Sequence, residues 1–291
     1  MSRKNPAAQT AYGPIAIAAI EQHEPPGSRI VDDDLAARIL PAASRWFVRL
    51  TAWTTLRNLL ITLAERSGQG AWSIFVCRKR YIDDQLASWA DIAEAVVNLG
   101  AGMDSRGCRL SRTSSIPVFE VDQPVNIAAK RRVIQQAVGV LPPSVHLVAV
   151  HFQHDNLSDA LLRAGHDRTS RTFFIWEGVT QYLSEPAVRA TLDYLSTAAP
   201  GSRLAFTYVQ RDFIDGSNLY GNKLLYKRFR MRSQVWMFGL SPAAVAPLLA
   251  EYGWRVLEDV SGPEFQTRYL APAGRRLSTT ELERTVLAEK S

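Results

Sequence analysis

Val96-Val97-Asn98-Leu99-Gly100-Ala101-Gly102-Met103-Asp104, followed by Val118-Phe119-Glu120-Val121-Asp122, is the part of this 291-residue sequence that decides its fold. An apolar run ending in Gly-x-Gly predicts a buried strand that turns sharply where the backbone must come close to something, because glycine carries no Cβ. Twenty residues beyond Gly102, Asp122 closes a second apolar run. Strand, glycine turn, helix, strand and acid form the pattern of a nucleotide-binding crossover. Its glycines admit a ligand to the backbone, and its acid accepts hydrogen bonds from a ribose diol.

The third glycine of the dinucleotide fingerprint is missing, since Met103-Asp104-Ser105-Arg106 follows Gly102 and Gly107 stands too far along. That glycine normally lets a helix pack tightly beside a pyrophosphate. A ligand with a ribose and no diphosphate therefore fits better, and S-adenosylmethionine is the common one.

Outward from this stretch, apolar runs and helical periodicities alternate. Strands are expected at 95–99, 116–121, 145–151, 172–177, 202–208, 254–259 and 265–270, and helices at 123–138, 157–164, 185–198 and 241–252. Such alternation predicts an α/β fold, a mostly parallel sheet with helices on both faces. Only 260–264 separates the last two expected strands, too short for a parallel crossover, so they should form an antiparallel hairpin. A parallel sheet ending this way suits a methyltransferase better than a dehydrogenase. Before the sheet, residues 1–94 read as helical. Asp32-Asp33-Asp34 offers caps for a helix through Leu35, Ile39 and Leu40, apolar residues recur at helical spacing from Ala42 to Arg66, and a further helix covers 78–89.

With 46% hydrophobic residues the chain can bury a large core. It carries no apolar run of membrane-spanning length and no apolar segment close behind Met1-Ser2-Arg3-Lys4-Asn5-Pro6, so neither a membrane partner nor a secretion signal is expected. Cys77 and Cys108 match no metal spacing and point to the cytoplasm. The net charge of +6 raises nucleic acid as a partner, but the basic residues are spread along the chain and suit solvated helix faces or an acidic small molecule.

Arg78-Lys79-Arg80-Tyr81-Ile82-Asp83-Asp84, Asn98 to Arg106, Phe119-Glu120-Val121-Asp122-Gln123-Pro124 and Trp176-Glu177-Gly178-Val179-Thr180-Gln181-Tyr182-Leu183 together resemble the leucine carboxyl methyltransferase-like family, from about Ala11 to Arg275. The resemblance implies a class I, Rossmann-like methyltransferase fold with a seven-stranded sheet. It implies an N-terminal cover over 1–94 and an S-adenosylmethionine-binding domain over 95–291, with a substrate insertion around 211–238. It further implies that Arg78 binds the methionine carboxylate, that Gly100 and Gly102 pass beneath the cofactor, that Asp122 holds the ribose and that Glu177 meets the ammonium. His151 and Phe152 fall at the adenine position, where the family usually has an aspartate and an apolar residue; His151 or Asp155 would have to serve there. No metal is expected. Arg80 and Asp83 stay open between a helix-face pair and a site role, and Glu120 between pocket and interior.

The activity this implies is O-methyl transfer to a carboxylate or hydroxyl of a small molecule, such as a secondary metabolite, leaving S-adenosylhomocysteine. Tyr182, Tyr208 and Arg230 are candidates for the acceptor, and His151 with Tyr208 for chemistry on a hydroxyl. Residues 211–238, with Asp212, Phe213, Tyr220, Tyr226, Trp236 and Phe238, have the aromatic surface to line a pocket. Two other readings are a nicotinamide-dependent oxidoreductase and a cofactor-binding partner protein without activity; nucleic acid methylation lacks its motifs.

Overall fold

A seven-stranded sheet organises the computed structural model, which describes residues 12–291. Ala11 and the N-terminal stretch read for a secretion signal lie outside the described residues. The strands are β1 (Ala95–Leu99), β2 (Val118–Asp122), β3 (Val145–Ala149), β4 (Thr172–Trp176), β5 (Arg203–Val209), β6 (Trp254–Val260) and β7 (Glu283–Lys290). Their order across the sheet is β3-β2-β1-β4-β5-β7-β6. The first five run parallel, and β7 lies antiparallel to both β5 and β6. This is the expected class I arrangement.

Among the described residues five helices precede the sheet: α1 (Tyr12–Glu21), α2 (Ala36–Ile39), α3 (Ala42–Leu50), α4 (Thr54–Ser67) and α5 (Ser73–Ser88). The crossovers carry α6 (Arg106–Leu110), α7 (Pro124–Val138), α8 (Leu157–Arg163) and α9 (Glu185–Leu195). After β5 come α10 (Arg211–Asp215), α11 (Lys223–Tyr226) and a π-helical turn over Lys227–Arg232, then α12 (Pro242–Glu251) before β6. Between β6 and β7, α13 (Gly262–Phe265) runs into a second π-helical stretch, Gln266–Leu270.

The local chemistry matches these boundaries. Pro124 sits in the first turn of α7, where its missing N–H costs nothing, and Gly139 ends that helix at φ +87°. Asn156 and Ser184 cap α8 and α9 by accepting backbone N–H groups three residues on. Every position of β1, β2 and β4 is buried, as a sheet covered on both faces requires. Alternate β4 residues supply two cores. Phe173 and Ile175 join Ile15, Leu35, Tyr81 and Ile82 of the N-terminal helices, whereas Phe174 and Trp176 join Leu161, Leu192 and Leu249 of α8, α9 and α12.

Three expectations are corrected. The helix read over Ala42 to Arg66 is two helices, because Thr51-Ala52-Trp53 turns the chain; the Thr51 hydroxyl donates to the Val48 carbonyl at 2.6 Å, and buried Arg57 donates to the Thr51 carbonyl at 3.0 Å. Asp33 caps nothing: it is fully buried and accepts the Ser105 hydroxyl at 2.6 Å. The segment 265–270 is helical rather than a strand, since Ser261 and Glu264 form a capping box that starts a helix at Gly262. The last strand is β7, and the antiparallel pair it makes with β6 has a long connection instead of a tight turn.

Candidate active site

The parallel strands end together, and the glycine turn follows β1. Gly100 takes φ +74°, and a Cβ there would stand 2.2 Å from the Val179 side chain, so glycine is required on both conformational and steric grounds. The N–H groups of Gly100 and Ala101 donate to the Val121 carbonyl at 2.8 and 2.9 Å, and that of Gly102 donates to Asp122 Oδ2 at 2.6 Å. Asp122 Oδ1 accepts from the Gln123 N–H and the Asn126 side-chain amide at 2.6 and 2.8 Å. The acid and the glycines are thus one hydrogen-bonded unit. Behind it Lys130 donates to the Ala101 carbonyl at 3.3 Å and pairs with Glu120 at 2.8 Å, both side chains fully buried. Glu120 therefore faces the interior, where burial pushes its carboxyl above the ordinary value against the pull of Lys130.

Beside the turn lies a buried ionic network. Arg78 Nε donates to Glu177 Oε1 at 3.0 Å and Nη1 to Glu283 Oε1 at 2.6 Å, which leaves three of its five N–H donors. Arg106 is held by Asp83, by Asp104 at 2.6 Å and by Glu177 Oε2 at 2.6 Å. Lys79 pairs with Asp104 at 3.0 Å and Asp33 at 3.4 Å. Burial alone would raise the Asp104 and Glu177 carboxyls. Arg106 with Lys79 outweighs it at Asp104, and Arg106 with Arg78 at Glu177, so both stay below their ordinary values and ionised. At Glu283 burial wins over Arg78 and the carboxyl is raised.

These groups open into a cavity of about 950 Å³. Its lining gathers Arg78, Gly100, Gly102, Asp122, His151, Phe152 and Glu177 at the strand ends, and Tyr182, whose ring meets Trp236 of the insertion at 6.2 Å. Two expected residues are not brought there. Tyr208 is fully buried, and its hydroxyl donates to Asp259 at 2.9 Å; burial first and Asp259 second raise its pKa, so it is neither a base nor an acceptor contact. Arg230 turns back to donate to the Ile214 carbonyl at 3.1 Å, and its neighbour Arg228 lines the cavity instead. Asp155 accepts the His151 backbone N–H at 2.8 Å and serves as a loop brace. Arg80 pairs with Asp84 on an exposed helix face, whereas Asp83 turns inward to Arg106 and Arg109.

The opposite wall comes from the N-terminal helices and the insertion after β5. Ile15, Ile17, Ile74, Phe229 and Trp236 belong to it, and of the insertion's described lining residues Arg228 is the one charged side chain; Phe75 instead lies under the Arg78 guanidinium at 4.7 Å. The insertion is built on stacked rings: Phe229 and Trp236 lie 5.1 Å apart at 9°, and Phe213 meets Trp236 at 5.8 Å. Sequence reading missed roles for Lys79, Asp104, Arg106 and Glu283. The first three stand inside the quoted motifs; Glu283 lay beyond reach once β7 was misplaced.

Residues 11–196, more than half of the chain, match the leucine carboxyl methyltransferase family. The chain belongs to that family. A relative from Streptomyces coelicolor, named "putative S-adenosyl-L-methionine-dependent methyltransferase", is 39% identical over 50% of this chain and 51% of its own. One of the same name from Mycobacterium sp. (strain KMS) is 29% identical over 78% of this chain and 77% of its own. The chain thus spans about half the length of the Streptomyces relative. Among solved structures, a methyltransferase from Thermobifida fusca, also named as putative, shares the fold with a TM-score of 0.58 at 16% identity, covering 81% of this chain and 88% of that one. The glycine turn and Asp122 stand at the carboxyl ends of the parallel strands, where open α/β sheets bind ligands.

Proposed function

We propose that this chain transfers a methyl group from S-adenosylmethionine to an oxygen of a small molecule, in the first place a carboxylate and otherwise a hydroxyl. The observation that carries the reading is the division of one cavity into an ionic wall at the strand ends and an apolar wall opposite it. The ionic wall suits the cofactor. Arg78 and Glu177, 3.0 Å apart, offer a cation for its carboxylate and an anion for its ammonium, and Asp122 stands at the end of β2 for its ribose. Gly100 and Gly102 give the backbone the room it needs, and His151 and Phe152 are left for the adenine. The bound sulfonium supplies the activated methyl group. What the chain's own residues do is align donor and acceptor and exclude water.

A carboxylate acceptor is ionised at neutral pH and needs no base. An apolar wall whose charge is the single Arg228 accords with that: the helices before β1 and the insertion would enclose the acceptor, and Arg228 and Tyr182 would meet its charge. Were the acceptor a hydroxyl, a base would be needed, and His151 would be the first residue to test in place of its adenine role. Residence in the cytoplasm belongs to the same reading, since Cys77 and Cys108 are free and buried.

Titration calorimetry with S-adenosylmethionine and with S-adenosylhomocysteine comes first, with micromolar affinity expected, about −8 kcal/mol. Failure of both to bind overturns the cofactor assignment. Incubation with methyl-labelled cofactor and a panel of carboxylic acids and phenols then tests the acceptor. Label that mild base releases as methanol supports an ester; base-stable label moves the reading to a hydroxyl.

A further inference from the structure

From Leu35 to Ala64 the sequence holds no acidic residue and four arginines. This segment forms α2, α3 and most of α4, and five of the twelve exposed large apolar residues of the described chain lie in it. Trp46 is 63% exposed and Trp53 72%, with Phe47, Leu59 and Leu63 exposed beside them. Folding had no use for this surface, for the inner faces already bury Val48 of α3 and Arg57 of α4. Of the arginines, Arg57 turns inward to Glu24 at 2.9 Å. Arg45 and Arg49 flank Trp46 and Phe47 and have no ion-pair partner among the described residues.

We propose that α3 and the following turn into α4 form a docking face for the surface of a bilayer carrying anionic headgroups. Exposed tryptophan, phenylalanine and leucine with arginine and no acid is the composition of a segment that lies in a membrane interface, rings at headgroup depth and guanidinium groups on phosphate. Charge selects the occupant: a second copy of the same face would set arginine against arginine, whereas anionic lipid neutralises both. No helix among the described residues is long and apolar enough to cross a membrane, so the contact is peripheral. The absence of a spanning segment led the sequence to predict no membrane partner, but a surface contact needs none. Docking by this face would hold α4 against the lipid, and its last turn, with Ala64 and Ser67, lines the cavity.

Co-sedimentation of the full chain with phosphatidylcholine vesicles, with and without phosphatidylglycerol, tests the assignment. Binding is expected to the anionic vesicles, weakened roughly 25-fold by R45Q/R49Q, about fivefold per arginine near a charged surface. It should be lost in W46A/W53A, and brominated lipid should quench the wild-type tryptophan emission more than that of W46F/W53F. No depletion by anionic vesicles overturns the proposal, as does binding insensitive to both tryptophan variants. Lipid-free dimerisation that W46A/W53A abolishes also overturns it and gives the face to a second copy. Should W46A/W53A fail to fold, R45Q/R49Q and the quenching of the wild-type chain decide between these outcomes.

Discussion

The two walls of the cavity are held by different physics. At the strand ends, Arg78, Lys79 and Arg106 are each fixed by two or more carboxylates, and Asp122 is tied to the turn it faces. Opposite them are the stacked rings of the insertion and aliphatic side chains of the N-terminal helices, and Arg228 has no ion-pair partner among the described residues. Charged groups out of water are tolerated only when paired in good geometry, so the ionic wall is held rigid. Apolar packing is adjustable at small cost, so under the proposed function the other wall is where acceptor choice would vary.

The sharpest way to break this contrast is at the buried pair behind the glycine turn. Lys130→Met leaves Glu120 buried without its cation and should cost about 3–5 kcal/mol of stability, read from the midpoint of denaturant unfolding. Ile17→Val in the apolar wall should cost about 1 kcal/mol. Equal losses would erase the distinction. Next, Arg78→Ala should weaken S-adenosylmethionine binding about a hundredfold, near 3 kcal/mol for two charge-assisted bonds, by calorimetry. Unchanged affinity would remove Arg78 from the cofactor's site.

A smaller effect concerns pH. Asp83, Asp104 and Glu177 have carboxyls held below their ordinary values, so between those values and the ordinary range the unfolded chain binds more protons than the folded one. The stability they contribute is complete above the ordinary carboxylate range and is lost as pH falls through the depressed values. Unfolding midpoints should therefore drop on acidification below about pH 4, and Asp104→Asn should flatten that limb; an unaltered limb would show that the network does not carry it. The smallest effects belong to the acceptor wall. Arg228→Ala should raise KM for an acidic acceptor about tenfold, one lost charge contact, and leave cofactor affinity unchanged. His151→Ala should alter kcat by no more than a few-fold if the acceptor is a carboxylate, and far more if a proton must be removed.

The ionic wall was largely legible because its residues follow one another on the chain. Gly100, Gly102 and Asp122 sit at spacings set by one strand, one turn and one crossover, and the fold followed from them. Lys79 and Arg106 were in view, but whether a cation faces ligand or carboxylate depends on elements that sequence does not juxtapose. Tyr208 misled because β5 is buried on both faces, which removes the alternation that would reveal where its ring points. Phe265, Thr267 and Tyr269 carry strand-forming side chains, yet the Ser261–Glu264 box outranks them. The break at Thr51 has no glycine or proline to announce it. It depends on Arg57 reaching back to a carbonyl.

Arg78 and Glu283 stand 205 positions apart, and Glu283 opens the strand that slots between β5 and β6. At a synthesis rate of about 5–20 residues per second, roughly 10–40 s separate their appearance at the ribosome. During that interval the guanidinium has its Glu177 partner at most, β5 has a bare edge and β6 has no neighbour in the sheet. The guanidinium thus gains its second carboxylate only when β7 has been made and closes the gap between β5 and β6.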